Sequence, residues 1–312
     1  MGEVERRDPQ VNPAGQAGIL RAYLDLTRAH FAPVWPILFL SGLVLASTRY
    51  DGLTWILAGK AALIGLLGFE GGIVLNDYID RKIDVRDIDP RLTRYWRPFG
   101  TRPLAGGVIP PGNALALFAV LALSAGALIA TLPFPHSLYV GLIMVYSYGM
   151  ETFYQLMKRR QRLPVAQLLG RTDLALFPVA GYLALGHPDE LALLIFLFLY
   201  PWAEAHLGVN DLADLVNDRV RGMKTVPVLL GVQGNIAWIA IFSLIHAGTA
   251  FDLHISLGPI AWAGCGAGLL LLLFANLRIA KEGTPESALR SLPLFHASLL
   301  IYAVSLILDS VI

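Results

Sequence analysis

Two short segments of the chain carry carboxylates in the same pattern. They read NDYIDRKID at 76–84 and NDLADLVND at 210–218, each with aspartates three and seven positions after the first one. On an α-helix these offsets fall on one face, where like charges repel each other unless a cation is bound. Magnesium prefers oxygen ligands and is commonly held by one or two carboxylates together with phosphate oxygens of a substrate. The two rows therefore predict a site for Mg²⁺ and a diphosphate.

The predicted metal ligands are the aspartates of both rows: Asp77, Asp80, Asp84, Asp211, Asp214 and Asp218. A single row of this kind is common at the solvated end of a helix, but two copies with identical spacing favour a function. Glu70 and Glu204 each lie seven residues before the first aspartate of a row. Two readings stay open for them, because each glutamate would either line the same cavity or pair with a neighbour.

A diphosphate also needs cationic side chains, and three stand near the rows in sequence. They are Arg102 in RPLAGG, Lys158 in YQLMKRR and Lys224 in GMKTVP. Tyr154 lies four residues before Lys158 and hence on the same helical face, so both side chains would point into one cavity. Taken singly, each cation is equally explained as a determinant of membrane topology.

The elements that position these residues are predicted from composition. The chain of 312 residues is 55% hydrophobic and 15% charged, whereas soluble domains are about a quarter charged. Apolar runs near the length that crosses a bilayer recur along the chain. We predict nine membrane-spanning segments, at residues 31–49, 53–76, 112–132, 138–157, 172–187, 190–210, 227–249, 257–277 and 289–310.

The 24 lysine and arginine residues test this division independently of hydropathy. Nearly all of them precede the first segment or lie in the second, fourth, sixth and eighth connections. Arg49, the last residue of the first segment, borders a connection on the opposite side, and Lys60 lies within the second segment. Because basic connections remain in the cytoplasm, the pattern predicts a cytoplasmic N-terminus, an external C-terminus and a site on the cytoplasmic face.

Several other features limit the functional classes. The net charge of +1 gives no indication of nucleic-acid binding, and the single Cys265 excludes disulfides and thiolate metal sites within the chain. The polar first 18 residues lack the apolar core of a cleavable signal peptide. We expect residues 1–18 to form a flexible tail and 19–312 a single domain. The histidines show no metal-ligand spacing, and His206 is the one next to an acidic row.

The motifs together resemble the UbiA superfamily of membrane-embedded prenyltransferases. The resemblance rests on NDxxDxxxD at 76–84, YxxxK at 154–158, and DxxDxxxD followed by GMKTVPVLLG at 211–231. RPLAGG at 102–107 is similar to the family's RPLxSG element, with Gly106 where serine is usual. The segment VRDIDPRLTRYWRPFGT between the first row and RPLAGG is longer than the usual link. In the cytoplasmic cap, and in acceptor recognition with it, the chain is therefore expected to depart from the family pattern.

The resemblance implies an all-α fold, a polytopic helical bundle of nine transmembrane helices around a central cavity. It also implies that Mg²⁺ and an isoprenyl diphosphate bind at the acidic rows on the cytoplasmic side. The residues expected to be catalytic are Asp77, Asp80, Asp211, Asp214, Tyr154 and Lys158. Those expected to bind the diphosphate are Asn76, Arg102, Lys158, Asn210 and Lys224; Arg28, in LTRAH, resembles a family arginine but is equally explained as a membrane anchor.

The expected function is Mg²⁺-dependent transfer of a polyprenyl group from an isoprenyl diphosphate to an aromatic or lipid acceptor. The allylic fragment would become cation-like, and the faces of Tyr78, Tyr146, Tyr148 and Tyr154 are candidates to stabilise it. A terpene cyclase of the same family and, from another class, a membrane transporter remain alternatives. The expected partners are the donor, the acceptor and the lipid bilayer. The acceptor stays open among hydroxybenzoate-like acids, naphthoquinone precursors, prenylated glycerol phosphates, haem, chlorophyllide and a phosphoribosyl diphosphate.

Overall fold

The computed structural model describes residues 16–253 and 257–312, and each regular element in these ranges is an α-helix. The predicted all-α fold class is therefore confirmed. In chain order the helices are α1 Gln16–Leu26, α2 Val34–Ala46, α3 Trp55–Asp84, α4 Arg91–Trp96, α5 Pro111–Ala130, α6 His136–Met157, α7 Val165–Gly170, α8 Thr172–Leu183, α9 Glu190–Ala213, α10 Leu215–Arg221, α11 Val226–Leu253, α12 Pro259–Glu282 and α13 Pro285–Val311. Residues 1–15 of the predicted tail lie outside the described part of the chain.

Each of the predicted spanning segments overlaps with one of these helices, and α3 extends eight residues beyond its segment. In the part of the chain that the structure describes, six helices are long and apolar enough to cross a membrane, namely α3, α5, α9, α11, α12 and α13. The helices α2 and α8 are shorter, with 13 and 12 residues, and they pack against each other. The number of nine crossings and the orientation of the termini stay predictions.

Local sequence signals set several helix ends. The side chains of Thr54 and Asp189 accept hydrogen bonds from the backbone N–H groups of Leu57 and Ala192, which caps α3 and α9. At the other end, Gly222 terminates α10 with φ 74°, a backbone conformation that glycine adopts without strain. Because α10 ends there, the chain turns back at Gly222 into α11.

The helices α2 and α8 cross with their backbones in contact at two glycines. A Cβ atom on Gly42 would lie 1.9 Å from the carbonyl oxygen of Pro178, and one on Gly181 would lie 1.9 Å from that of Phe39. Small residues permit such close approach between helices in membranes. The crossing joins the two largest hydrophobic clusters, since both contain residues of α2 and α8.

The long connection between α3 and α5 is fixed to the rest of the protein at both ends. Near its start, the Asn217 side chain of α10 accepts hydrogen bonds from the backbone N–H groups of Ile88 (3.0 Å) and Asp89 (2.9 Å). Near its end, Asp25 of α1 accepts hydrogen bonds from the backbone N–H groups of Phe99 (2.7 Å) and Thr101 (2.8 Å). The short helix α4 lies between these two attachments, and its Trp96 indole donates a hydrogen bond to Asn210 of α9 at 2.9 Å.

The glycine crossing yields the first prediction. Gly42→Ala or Gly181→Ala should destabilise the fold by about 1–3 kcal/mol, because the added methyl group meets backbone that cannot move independently. Unfolding in a mixed-detergent titration measures the change. Gly59→Ala is the matched control, since nothing lies within 4 Å of a Cβ at that helical position; equal stability of all variants would contradict the close crossing.

Candidate active site

The first acidic row lies along the C-terminal end of α3, and its aspartates are buried. Asp77 is paired on both carboxylate oxygens, by Arg28 at 3.1 Å and by Arg97 at 2.7 Å. Arg28 holds the left-handed backbone conformation with φ 47°, an uncommon state for a residue other than glycine. Burial lowers the pKa of the Arg97 guanidinium, and the Asp77 carboxylate opposes this shift.

The next aspartate of the row, Asp80, is held by the end of α6. Lys158 Nζ lies 2.8 Å from one oxygen of Asp80, and Arg159 Nη2 lies 2.7 Å from the other. Tyr154 is buried one turn before Lys158, with its ring 5.0 Å from Lys158 Nζ and 5.0 Å from the guanidinium carbon of Arg171. Lys158 of the YxxxK pair therefore meets the first acidic row, and the Tyr154 ring lies beside its ammonium group.

Arg221 of α10 bridges the two acidic rows. Its guanidinium lies 3.5 Å from Asp84, 2.5 Å from Asp87 and 2.7 Å from Asp214. Arg102 contacts the same carboxylates from the first row's side, at 2.5 Å from Asp84 and 2.7 Å from Asp87. Burial raises the pKa of the Asp87 carboxyl, while the two guanidiniums oppose the shift.

The second row is not one continuous helix. The helix α9 ends at Ala213, Asp214 has non-helical backbone angles (φ −97°, ψ 7°), and α10 begins at the next residue. The Asp214 side chain accepts hydrogen bonds from Asn217 at 2.8 Å and Arg221 at 2.7 Å. Asp218 accepts a hydrogen bond from Thr225 (2.8 Å), and burial followed by repulsion from Asp214 raises the pKa of its carboxyl.

The two motif asparagines have different partners. Asn76 donates a hydrogen bond to Glu151 at 2.7 Å, while Asn210 accepts one from the Trp96 indole at 2.9 Å. Lys224 has an exposed side chain, and its backbone N–H donates to the carbonyl oxygen of Lys158 at 2.7 Å. The backbone of the GMKTVP segment is thus fixed beside the YxxxK motif, while the Lys224 ammonium lies outside the group of paired charges around the acidic rows.

A cavity of about 290 Å³ lies between the two rows. Of the predicted site residues, those that line it are Asn76, Asp80, Asp84, Arg102, Tyr154, Lys158, Asn210 and Asp214. Asp77, Asp211, Asp218 and Lys224 lie outside its lining, as do Glu70 and Glu204. Among the candidate aromatic residues, Tyr148 lines the cavity together with Tyr154.

Sequence reasoning missed several charged residues of this cluster: Asp87, Arg97, Arg159, Arg171, Asp173 and Arg221. The basic ones were assigned to membrane topology alone. The unusual length of the segment between the first row and RPLAGG is the sequence feature that points to two of them, since that segment supplies Asp87 and Arg97.

The donor set is suited to a hard cation, although the aspartates here are paired mainly with arginine and lysine. Within the described ranges, no group of three or more His, Cys, Asp or Glu side chains converges closely enough to hold a metal ion. Asp84 Oδ1 and Asp211 Oδ2 are buried carboxylate oxygens without a hydrogen-bond partner in the described chain. Oxygen atoms of this kind are the ligands that Mg²⁺ prefers, so the residues present fit the ion.

A comparison with protein families identifies the family of this chain. A model of the UbiA prenyltransferase family matches residues 34–299. The chain belongs to the UbiA prenyltransferase family. The predicted family, the enzyme class of prenyltransferase and the membrane-embedded character are thereby confirmed.

Individual UbiA relatives are named for different products or substrates. A digeranylgeranylglyceryl phosphate synthase from Halobacterium salinarum is 33% identical over 213 residues, which are 66% of this chain and 68% of the relative. A 4-hydroxybenzoate octaprenyltransferase from Xanthomonas oryzae pv. oryzae is 31% identical over 212 residues, 68% of this chain and 66% of the relative. The chain is therefore similar to enzymes named for a lipid product and for an aromatic substrate.

Solved UbiA structures share the fold. The apo structure of a UbiA homolog from Aeropyrum pernix K1 has a TM-score of 0.72 at 21% identity, covering 90% of this chain and 98% of that one. A UbiA homolog from Archaeoglobus fulgidus bound to GPP and Mg²⁺ has a TM-score of 0.67 at 18% identity, covering 92% of this chain and 99% of that one.

The bridging arginine yields the second prediction. Arg221→Met should destabilise the protein by about 3–5 kcal/mol, because removal of one partner leaves buried carboxylates without a compensating charge. Detergent unfolding measures this loss. Arg219→Met, at an exposed position of the same helix, is the control and should change stability by less than about 0.5 kcal/mol; similar losses in both variants would contradict the bridge.

Proposed function

We propose that this chain transfers a prenyl group from an isoprenyl diphosphate to an aromatic or lipid acceptor in a Mg²⁺-dependent reaction. The observation that carries the proposal is one cavity with charged residues of both acidic rows at one end and apolar side chains at the other. A diphosphate and a hydrocarbon chain require these two environments side by side. The charged end is the end that we predict to face the cytoplasm.

The diphosphate would be held by cations that line the cavity. Lys158 and Arg102 are placed between the acidic rows by α6 and the RPLAGG segment, and Arg221 enters from α10. Each of these side chains is paired with an aspartate, so the cluster is close to electrically balanced before a ligand binds. Binding of a diphosphate together with Mg²⁺ adds charges of both signs and preserves that balance.

The Mg²⁺ ligands would come from the aspartates of the two rows. Asp211 Oδ2 and Asp84 Oδ1 accept no hydrogen bond, although Arg221 lies 3.5 Å from the latter. When bound, the ion supplies positive charge that favours departure of the diphosphate. The GPP and Mg²⁺ bound to the Archaeoglobus fulgidus homolog support this assignment.

The prenyl chain would occupy the apolar part of the cavity. Residues from α2, α3, α5 and α6 form this part, namely Phe39, Ile64, Ile129, Val140 and Met144. These side chains are apolar, and they exclude water from a cation formed beside them. The rings of Tyr148 and Tyr154 lie in the same lining, where their faces stabilise positive charge on the allylic fragment.

The reaction then follows from these surroundings. The bond between the allylic carbon and the diphosphate oxygen breaks, and its electron pair leaves with the diphosphate. A nucleophilic carbon or oxygen of the acceptor forms the new bond to the allylic carbon. Lys158 and the arginines stabilise the charge that develops on the leaving group, an effect that is large in a site shielded from water.

The third prediction is that prenyl transfer depends on the metal ion and on the aspartates. Chelation, or Asp77→Ala combined with Asp214→Ala, should reduce transfer by at least about 1,000-fold, because the leaving diphosphate loses its counter-charge. The assay uses radiolabelled isoprenyl diphosphates with a panel that includes 4-hydroxybenzoate and a geranylgeranylated glycerol phosphate, in detergent with Mg²⁺ or EDTA. Full transfer after chelation would contradict the proposal, and a hydrocarbon product formed without an acceptor would identify a cyclase.

The lysine of YxxxK yields the fourth prediction. Lys158→Met should weaken donor binding about 10- to 100-fold, because a charge-assisted hydrogen bond to phosphate contributes about 1.5–3 kcal/mol. Displacement of a labelled isoprenyl diphosphate measures the affinity. Lys82→Met, at an exposed position of α3, should bind normally; an unchanged affinity in Lys158→Met would remove this lysine from the diphosphate site.

A further inference from the structure

One wall of the cavity has a chemistry different from that of the charged and apolar parts. It is formed by the imidazoles of His206 and His296 and by the rings of Trp96 and Trp202, which come from α4, α9 and α13. None of these four residues belongs to the acidic rows or to the basic residues of the proposed diphosphate site. We call this set the aromatic wall.

The two histidines of the aromatic wall are joined by a hydrogen bond of 2.9 Å between their Nε2 atoms. His296 uses its other ring nitrogen, Nδ1, for a hydrogen bond of 2.7 Å with the hydroxyl of Tyr95. His206 lies parallel to Trp202, with ring centroids 5.1 Å apart and an interplanar angle of 4°. The imidazoles are therefore fixed in orientation by stacking and by a chain of two hydrogen bonds.

The wall adjoins the proposed diphosphate site. His206 lies one helical turn before Asn210, whose side chain accepts the hydrogen bond from Trp96. The next residue after Trp96 is Arg97, which pairs with Asp77 at 2.7 Å. A group bound against the wall would hence lie beside the end of the cavity where the bond to diphosphate breaks.

A comparison with His246 shows what distinguishes His206. His246 is fully buried, with Nδ1 bonded to the carbonyl oxygen of Phe198 at 2.8 Å and Nε2 to the hydroxyl of Tyr302 at 3.1 Å. Both of its nitrogens are used, as expected for a structural histidine. His206 has one hydrogen bond, to His296, and its Nδ1 has no partner in the described chain. It is also partly accessible and lines the cavity.

The hydrogen-bond chain permits His206 to present a lone pair to the cavity. In this arrangement the Nε2–H of His206 donates to Nε2 of His296, and the Nδ1–H of His296 donates to the hydroxyl oxygen of Tyr95. Nδ1 of His206 is then unprotonated. Burial raises the pKa of the Tyr95 phenol, so this end of the chain is a neutral hydroxyl that stabilises the adjacent imidazole without becoming charged.

We propose that His206 is the base that takes the acceptor's proton, and that His296 and Tyr95 are positioning residues that orient it. This inference rests on the proposed prenyl transfer. As the acceptor carbon or oxygen bonds to the allylic carbon, the proton on that atom moves to Nδ1 of His206, and the diphosphate leaves with the electron pair of the broken bond. The acceptor is accordingly a molecule with an acidic O–H or aromatic C–H group that fits against the aromatic wall.

The test separates acceptor deprotonation from donor ionisation. Geranylgeranyl diphosphate and Mg²⁺ are incubated with the full-length enzyme, with or without the acceptors of the panel described above. Transfer product and prenyl alcohol are both quantified. The alcohol arises when water captures the allylic fragment, so its rate reports donor binding and ionisation without the acceptor.

His206→Gln retains a hydrogen-bonding side chain but cannot accept the proton. We expect its transfer rate to fall about 100-fold or more, which is the usual contribution of a general base, while alcohol formation stays within about twofold of wild type. Imidazole added to His206→Ala should restore part of the transfer rate. His246→Gln is the matched control, since it alters a buried histidine with a tyrosine partner outside the cavity, and its transfer rate should stay within about twofold.

Tyr95→Phe provides a second, milder variant should a histidine variant fail to fold. It removes one hydroxyl, and we expect a kcat for transfer about 5- to 10-fold lower, with KM for the donor and alcohol formation unchanged. Transfer by both His206→Gln and Tyr95→Phe at rates near wild type would overturn the assignment, as would equal losses of transfer and alcohol formation. Failure of the wild-type enzyme to transfer to any acceptor would instead overturn the proposed function.

Discussion

The arrangement of this protein depends on the pairing of buried carboxylates with cations that arrive from distant parts of the chain. Asp77, Asp80 and Asp214 are at most 9% exposed, and each has a guanidinium or ammonium group within about 3 Å. Unpaired charges are costly to bury, and breaking one such pair leaves an uncompensated charge. The charges therefore determine where the ends of α3, α6, α9 and α10 must meet.

The connections between helices serve this pairing. The segment between α3 and α5 supplies Arg97 and Arg102 to the first row, and it is fixed by Asp25 of α1 and by Asn217 of α10. The turn at Gly222 follows α10, whose last residue, Arg221, contacts both rows, and it leads into α11. Rigid placement of charged groups of this kind stabilises developing charge without reorganisation during a reaction. The same connection also carries Tyr95 and Trp96, so the proposed donor site and the proposed acceptor site share one structural support.

The cavity combines surroundings that a single helix face could not provide. Its charged end, apolar part and aromatic wall are lined by residues of several helices, from α2 to α13. An allylic fragment released at the charged end would be exposed to apolar side chains, tyrosine faces and the acceptor, with water largely excluded. The proposed transfer requires this division, because the donor must ionise at the charged end and its allylic fragment must meet one nucleophile.

The sequence by itself determined the all-helical fold, the family and the two rows of aspartates, because apolar length, fixed motif spacing and charge repetition are properties of contiguous residues. It also indicated that Tyr154 and Lys158 share a helical face, since that relation spans a single turn. Only the tertiary structure decided which cations meet which aspartates, that the second row is interrupted at Asp214, and that His206 and His296 form a pair. These relations join residues that are far apart in the chain, such as Arg221 and Asp84, which are separated by 137 positions. Their partners are selected by helix packing and by the cost of burying unpaired charge, which no local pattern encodes.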